Sequence, residues 1–322
     1  VGFQPDWIWF KNRTDARAHA LVDAVRGTNK VLRSDATDAV STTTAGRDFE
    51  SFDTDGFTVN NPLAFNSFNE SGDNIVAWNW KASNATAVSN TDGSITSSVS
   101  ANTTAGFSIV SYTGNLTDGA TVGHGLGVAP DVMIIKNRSD TQYWVFYHKD
   151  LGGANNHLRL DDVVTKRNDL NMFSSTAPTS SVFELGNKEQ VNGNTNNIIA
   201  YCFAEKKGFS KFGSYTGIAS SDSNFVYLGF KPSFLLIKNA STTNTNWHMY
   251  DNKRLGYNVD NNVLRSNLNN AELTNDDIDL LSNGFKLRRS TAALNNNGDT
   301  FIYMAFAEQP LVGTNNIPCT AR

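Results

Sequence analysis

The sequence predicts an all-β protein built from three tandem antiparallel β-sandwich modules arranged in a row. Its 322 residues are rich in Gly, Asn, Ser and Thr and lack long stretches of helix-forming residues. Short apolar or alternating segments are separated by turn residues, a pattern typical of strands joined by tight turns. One set of landmarks recurs three times in the same order, so each copy is expected to be one structural unit.

Each copy carries a proline followed by an apolar strand that ends in Lys-Asn, then a Leu-Arg pair, a Phe beside a turn and an apolar closing strand. Chance would scramble that order, so its recurrence indicates a tandem repeat. Within the first strand we expect Ile8, Ile134 and Leu236 to occupy equivalent buried positions. The landmarks are Pro5, Lys11-Asn12, Leu32-Arg33, Phe57 and 75–81 in copy 1; Pro130, Lys136-Asn137, Leu158-Arg159, Phe183 and 198–205 in copy 2; and Pro232, Lys238-Asn239, Leu264-Arg265, Phe285 and 301–308 in copy 3.

The copies define the predicted domain boundaries. Their uneven spacing leaves a segment rich in Ser, Thr and Asn after the first copy, and such a composition cannot bury a core. The predicted boundaries are module 1 over 1–82 (without its opening strand), a linker over 83–94, module 2 over 95–206, module 3 over 207–308 and an extended tail over 309–322.

Copies 2 and 3 open with similar strands, 107–114 (FSIVSYTG) and 209–217 (FSKFGSYTG), and copy 1 has no such strand. In copy 2 this strand is expected to form a hairpin with residues 95–101. Without it, module 1 should expose unpaired backbone groups and an apolar cleft, which invites the addition of a strand. We expect residues upstream of Val1 to fill the gap, ahead of the tail 309–322 or a neighbouring subunit.

Several stretches of the chain resemble an uncharacterised repeat family that is frequent in marine-phage virion proteins, especially large tail-associated ones. The resemblance covers essentially the whole chain and implies a concanavalin-like, jelly-roll sandwich with carbohydrate recognition as one function. No catalytic residue is carried over with it. The matching stretches are 90–115, 122–139, 212–217, 281–288 and 303–308.

Composition excludes several classes of protein. A net charge of −4 lacks the concentrated basic face that phosphate binding requires, so no nucleic-acid partner is predicted. The apolar runs are far too short to cross a bilayer, so no membrane insertion is predicted. The two cysteines, Cys202 and Cys319, build neither a disulfide framework nor a Cys-based metal site.

The repeated Lys-Asn pairs are the first candidate ligand-binding residues. In a functional interpretation Lys11, Lys136 and Lys238, with the asparagines that follow them, bind sugar hydroxyls. In a structural interpretation the lysine stem lies along the rim of a sheet and the asparagine forms an Asx-turn. We favour the structural interpretation, because a repeated position usually serves the repeated fold. The asparagines are Asn12, Asn137 and Asn239.

The repeated Leu-Arg pairs raise the same question. Arg33, Arg159 and Arg265 would each clamp a carboxylate of an acidic glycan in the functional interpretation. A structural ion pair within each module is the alternative that we favour.

Other chemistry-bearing residues are also predicted to be structural. Tryptophans spaced two apart on strands with apolar residues on both faces are expected to be buried. Asp53-Thr54-Asp55-Gly56 resembles the start of a calcium loop, but the downstream Glu is absent, so a hairpin turn is predicted. Asp161-Asp162 and Asp276-Asp277 are weaker cation candidates. The five histidines show no metal-ligand spacing, and no catalytic motif is found.

These observations predict a non-enzymatic structural protein on the surface of a phage virion, outside the cell, as a tail fibre, spike or related appendage. The predicted partners are other virion and tail proteins, further copies of the chain with a trimer favoured, and host-surface glycan. A carbohydrate-binding adhesin is the alternative. A glycan-degrading enzyme ranks third, because paired carboxylates need to be close only in space. No cofactor and no metal are predicted.

Overall fold

The computed structural model describes residues 1–43, 48–60, 68–222, 224–254, 261–275 and 277–307. The chain is all-β and its sheets are antiparallel, as the sequence predicts. The predicted tail 309–322, Cys319 and Asp276 lie outside the described residues. Among those that are described, no helix is long and apolar enough to cross a membrane.

In the described residues, short strands follow one another along the chain, with a 3-10 helix at Lys149–Leu151 and an α-helix, α1, at Glu189–Asn192. Copy 1 contains β1 (Trp7–Asn12), β2 (Ala20–Asp23), β3 (Lys30–Val31), β4 (Ser41–Thr42), β5 (Phe49–Asp53), β6 (Gly56–Val59) and β7 (Ile75–Trp80), followed by β8 (Val88–Asn90). Copy 2 contains β9 (Ser97–Asn102), β10 (Phe107–Thr113), β11 (Ala120–Gly123), β12 (Val132–Asn137), β13 (Val145–His148), β14 (Asn156–Arg159), β15 (Arg167–Asn168), β16 (Val182–Leu185) and β17 (Asn197–Phe203). Copy 3 contains β18 (Ser210–Thr216), β19 (Phe225–Tyr227), β20 (Pro232–Asn239), β21 (His248–Asp251), β22 (Asn261–Val263), β23 (Leu273–Asn275), β24 (Ile278–Leu281), β25 (Gly284–Leu287) and β26 (Thr300–Ala307).

The same three-strand arrangement occurs in each copy, with the strand after the proline in the middle. β1 lies between β2 and β7, β12 lies between β13 and β17, and β20 lies between β21 and β26. This recurrence is the structural counterpart of the sequence repeat.

The pairing registers make Trp9, Ile134 and Leu236 equivalent, two residues before the lysine of each Lys-Asn pair. The predicted equivalence of Ile8 with Ile134 and Leu236 is therefore wrong by one residue, since Ile8 aligns with Met133. A shift of one residue moves a side chain to the other face of a strand. All of these side chains are buried, but Ile8 faces away from the core that Ile134 and Leu236 share.

One face of each three-stranded sheet contributes to a single aromatic-rich core that all three copies share. Contacts across this shared core join every pair of copies, so the copies close around one centre instead of forming a row of separate sandwiches. Ring centroids lie 4.3 Å apart for Trp7 and Tyr201 (copies 1 and 2), 4.7 Å apart for Phe146 and Trp247 (copies 2 and 3), and 5.8 Å apart for Trp80 and Phe306 (copies 1 and 3).

The opposite face of each sheet packs in a core that belongs to its own copy. In copy 2, Met133 and Ile135 of β12 lie in one cluster with Phe183 and Leu185 of the separate β11–β16 pair. In copy 3 the β19–β25–β24 sheet covers β20 and β26 in the same way. Two layers of strands around a core are sandwich-like. The number of sandwich modules and the predicted boundaries stay predictions.

The predicted hairpin is confirmed, since β9 pairs with β10. β8 pairs with β9, so part of the predicted linker forms the edge of the large sheet of copy 2. The opening strands β10 and β18 lie on the outer sides of the closing strands β17 and β26. In the described part of copy 1, no strand occupies the corresponding side of β7.

Candidate functional site

The repeated lysines are fully buried at the ends of their strands. Lys11, Lys136 and Lys238 are 0% exposed, and each ammonium donates to a carbonyl oxygen of the turn that follows. Lys136 Nζ also donates to Thr37 O of copy 1 at 2.9 Å. Burial lowers the pKa of all three lysines to about 8. The three ammonium groups hold their turns from inside the fold, and that of Lys136 also joins copy 2 to copy 1.

The asparagines of the same pairs form Asx-turns. In Asn12, Asn137 and Asn239, which are 0% exposed, Oδ1 accepts from the backbone N–H groups two and three residues further on. The amide nitrogen of Asn137 donates to Glu189 O at 2.8 Å. This placement supports the structural interpretation of the Lys-Asn pairs. Glycan binding at these six residues stays a prediction that would need them to become accessible.

The leucines of the Leu-Arg pairs all pack in the shared core. The guanidinium groups of the first two arginines point to the half-exposed surface, where Nη1 of Arg33 lies 3.4 Å from Asp38 and Nη1 of Arg159 lies 3.5 Å from Asp162. Exposed pairs at such distances contribute little to stability. The predicted glycan clamp stays a prediction for Arg33, Arg159 and Arg265.

The backbone carbonyls of these three arginines bind the following copy in a closed cycle. Each carbonyl accepts from the ring that immediately precedes the second strand of the next copy. Trp144 Nε1 donates to Arg33 O at 2.7 Å, Trp247 Nε1 donates to Arg159 O at 2.9 Å, and His19 Nε2 donates to Arg265 O at 2.9 Å. The Leu-Arg landmark thus marks a junction between copies. The predicted burial of Trp144 and Trp247 is confirmed.

A buried ionic group joins copies 1 and 2, and sequence reasoning missed it. Asp23 and Arg26 form an ion pair whose side chains are 0% exposed. Tyr201 of copy 2 donates its hydroxyl to Asp23 Oδ2 at 2.7 Å, and Arg26 Nη2 lies 3.2 Å from that hydroxyl. Buried charges persist only when paired and hydrogen-bonded.

The same arrangement joins copies 3 and 1. Arg254 Nε lies 2.7 Å from Asp251 Oδ2, which accepts from Trp78 Nε1 at 3.0 Å. Glu272 bridges Arg254 at 2.7 Å and Arg13 of copy 1 at 2.8 Å. The signal that could have revealed these groups is an Asp-x-x-Arg spacing at matching places after β2 and β21.

Between copies 2 and 3 the corresponding positions hold His148 and Leu151, and His148 Nε2 donates to Tyr303 O at 3.3 Å. The ring nitrogen Nδ1 of His148 accepts from Asp150 N at 3.1 Å. His19 has the same pattern, because its Nδ1 accepts from Trp9 Nε1 at 2.8 Å. Both rings are therefore neutral, and burial lowers the pKa of His19 to about 3 and that of His148 to about 4.

The acidic candidates are used in turns and ion pairs. Asp53 faces Gly56 in the β5–β6 hairpin, as predicted, and hydrogen bonds from Ser51 and Thr58 lower the pKa of its carboxyl. Asp161 accepts from Trp144 N at 2.9 Å.

One further acidic group is formed by Asp15, Glu70 and Asp73, which the sequence did not suggest. Arg17 Nη2 lies 3.0 Å from Glu70 and 3.7 Å from Asp15, so the group is an ion-pair network around a guanidinium.

A polar groove lies between copies 2 and 3. Its volume is about 570 Å³, and Lys149, Glu205, Lys211 and the rings of Phe225 and Tyr227 line it. Phe225 is 42% and Tyr227 59% exposed, and Lys211 Nζ lies 5.4 Å from the centre of the Tyr227 ring. Exposed aromatic rings beside charged donors and acceptors can stack on a sugar ring and bind its hydroxyls.

An apolar cleft lies along the open side of β7. Its volume is about 730 Å³. Trp78 and Trp80 line it from copy 1, and Phe209, Phe234 and Phe306 line it from copy 3. This cleft is where an opening strand would lie in the first copy, as the missing strand predicts.

Comparison with known proteins gives one family. A family model described as a domain of unknown function, DUF7483, matches residues 1–310. The match spans all three copies, which agrees with a core that they share. No curated protein matches the chain, and no solved structure does.

Proposed function

The chain belongs to the DUF7483 family, and we propose that it is a non-enzymatic structural component of a phage virion, in a tail fibre, spike or related appendage. The observation that carries the proposal is the use of the repeated polar residues. The Lys-Asn pairs, the arginine carbonyls and the Asp-x-x-Arg groups all bind one copy to its turns or to the next copy. Side chains used in this way serve a rigid scaffold.

The sequence resemblance to marine-phage virion proteins supports the same proposal. A scaffold whose copies are hydrogen-bonded to one another in a closed cycle is suited to a particle exposed outside the cell. Its partners in this proposal are other tail proteins and further copies of the chain. A trimer is the favoured assembly.

The proposal predicts where the chain is found. Gold-labelled antibodies against the chain should bind purified particles of the phage that encodes it, at the tail or another appendage. A labelled capsid interior, or label confined to infected-cell extract, would contradict the proposal. Incubation with host polysaccharide should release no sugar product.

A second candidate function is glycan binding in the polar groove, favoured by the exposed rings of Phe225 and Tyr227. The remaining acceptors and donors of the groove, Glu205, Lys149 and Lys211, would bind hydroxyl groups at the rim of the stacked sugar. This function coexists with the structural one, because the exposed rings and the charged side chains that would bind the sugar are not part of the shared core.

Replacing Tyr227 by Ala should weaken binding of a host-surface oligosaccharide about tenfold, as expected for the loss of roughly 1.4 kcal/mol of ring stacking. Titration calorimetry with the wild-type chain and the variant measures the change. Leu170→Ala is the matched control, since Leu170 is an exposed apolar side chain that does not line the groove. If Tyr227→Ala and the wild type bind the oligosaccharide with equal affinity, the groove is not the glycan-binding site.

A further inference from the structure

The opening segments of copies 2 and 3 each supply two strands to two different sheets. The first strand pairs with the closing strand, as β10 pairs with β17 and β18 with β26. The second strand pairs with the strand that carries the landmark Phe, as β11 pairs with β16 and β19 with β25. One continuous segment therefore completes both layers of a copy.

Copy 1 has both acceptor edges, and the described residues place no strand on either. Among the described strands, β7 is the edge of the β2-β1-β7 sheet, and β6 pairs with β5 alone. Asn79 on β7 bends its amide back to donate to Ala77 O at 2.9 Å, and its buried Oδ1 has no hydrogen-bond partner among the described residues. An edge of this kind presents backbone groups for pairing.

The side chains beside these two edges are less buried than their equivalents. Phe57 on β6 and Ile75 on β7 are half-buried, whereas the equivalent residues of copies 2 and 3 are completely buried. The equivalents are Phe183 and Phe285 for Phe57, and Ile198 and Phe301 for Ile75, all 0% exposed. Within the described part of the chain, the core of copy 1 thus lacks a cover that the other two cores have.

The first residues of the chain lie in the frame of the repeat. Val1-Gly2-Phe3-Gln4-Pro5 matches Leu228-Gly229-Phe230-Lys231-Pro232, and both glycines have a φ of +83°. Val1 N and Gly2 N donate to Asp55 O at 3.0 and 2.9 Å, just as Leu228 N and Gly229 N donate to Asn283 O at 2.9 and 3.1 Å. In copy 3 the residue before Leu228, Tyr227, pairs with Gly284 of β25. A residue joined to Val1 would therefore lie opposite Gly56 of β6.

The apolar cleft beside β7 would receive the other strand of the same segment. In copy 3 the opening strand β18 carries Phe212, which packs in the shared core at 1% exposure. The equivalent side chain in copy 1 would lie in the cleft, next to Trp78 and Trp80. By the pairing registers, the opening strand begins 23 residues before the proline in copy 2, at Phe107, and 22 residues before it in copy 3, at Ser210. The spacing therefore differs by only one residue.

We propose that the edges of β7 and β6 that the described residues leave unpaired, with the apolar cleft between copies 1 and 3, form an acceptor site for a strand–turn–strand segment of the repeat's own opening sequence, joined to Val1. The segment pairs antiparallel to both edges and covers the core of copy 1. This inference does not depend on the proposed virion function.

Fusing a copy of residues 209–227 directly ahead of Val1 tests the proposal. The fused segment should slow amide hydrogen exchange in β6 and β7 about tenfold or more and raise the midpoint of urea denaturation. The matched control carries Phe212→Asp and Val226→Asp in the fused copy only, so that its inward side chains are charged; it should leave exchange unchanged. The fusion removes no residue of the chain, so folding is retained.

Five outcomes would overturn the proposal. In the unfused chain β6 and β7 should exchange faster than β16, β17, β25 and β26, so equal protection would show that copy 1 needs no added segment. If fusion leaves the exchange of β6 and β7 unchanged, or if the charged control protects them equally well, the segment is not the occupant of the site. Protection found only in dimers by light scattering would assign the site to a second copy. Faster exchange after deletion of residues 308–322 from the unfused chain would assign the cleft to those residues.

Discussion

Between pH 7 and pH 5 the protein should lose about 5 kcal/mol of its free energy of unfolding, which is the scale of the total stability of a typical domain. The cause is a group of buried, neutral histidines. Burial lowers the pKa of His19 and His248 to about 3 and that of His148 and His157 to about 4.

The direction follows from proton uptake in the two states. Below the ordinary pKa of 6.5 an unfolded histidine binds a proton that the folded one refuses until about pH 3 to 4. The unfolded state is therefore favoured progressively as the pH falls, by about 2 kcal/mol for each histidine at pH 5. Burial raises the pKa of Asp161 to about 6, and its proton uptake in the folded state offsets part of the loss.

Hydrogen-bond geometry gives the same direction independently. Nδ1 of His19 accepts from Trp9 Nε1, which can only donate. Protonation of His19 would make Nδ1 a donor that faces the Trp9 donor, and the bond between them would break. His148 has the same conflict with Asp150 N.

Urea denaturation followed by tryptophan fluorescence at pH 7, 6 and 5 measures the effect. His19→Gln is the matched variant, because Gln can donate and accept hydrogen bonds but does not titrate. Its loss of stability between pH 7 and 5 should be smaller than that of the wild type by about 2 kcal/mol. Equal midpoints at pH 5 and pH 7 in the wild type would contradict the prediction.

The repeat, the strands and the burial of the tryptophans could be predicted from the sequence, because each is signalled by residues that are close together in the chain. The Lys-Asn pair and the alternation of its strand show where each strand lies and that both of its faces are apolar. They do not show what covers each face. The second face of β1, β12 and β20 is covered by strands of other copies, so the shared core depends on contacts between residues far apart in the chain.

The strand registers and the junctions between copies show the same difference between local signals and contacts that are distant in the sequence. Counting back from Lys11 and Lys136 aligns Ile8 with Met133, so the correct register was present in the sequence. The Asp-x-x-Arg spacing was also present in copies 1 and 3. Its partners, Tyr201 and Trp78, are distant in sequence, so the spacing alone could not indicate a junction.

Replacing Arg26 by Leu should lower the free energy of unfolding by about 3–5 kcal/mol, the usual cost of removing one partner of a buried ion pair. Arg26 is the only cation that the described residues place in an ion pair with Asp23, and it also donates to Leu21 O at 3.0 Å and Lys30 O at 2.9 Å. Without it, the Asp23 carboxylate stays buried against Tyr201 and has lost its ion-pair partner. Urea denaturation at pH 8, where the histidines are neutral in both states, measures the loss.

The junction between copies 2 and 3 supplies the control for this change. His148, Leu151 and Met304 stand there in the places that Asp23, Arg26 and Tyr201 hold between copies 1 and 2. The triple variant Asp23→His, Arg26→Leu, Tyr201→Met transplants that uncharged junction and removes the buried charge, so it should recover more than half of the stability that Arg26→Leu loses. A single variant that costs less than about 1 kcal/mol would show that water or a relaxed backbone solvates Asp23. A triple variant no more stable than the single one would show that packing around Arg26, and not its charge, holds copies 1 and 2 together.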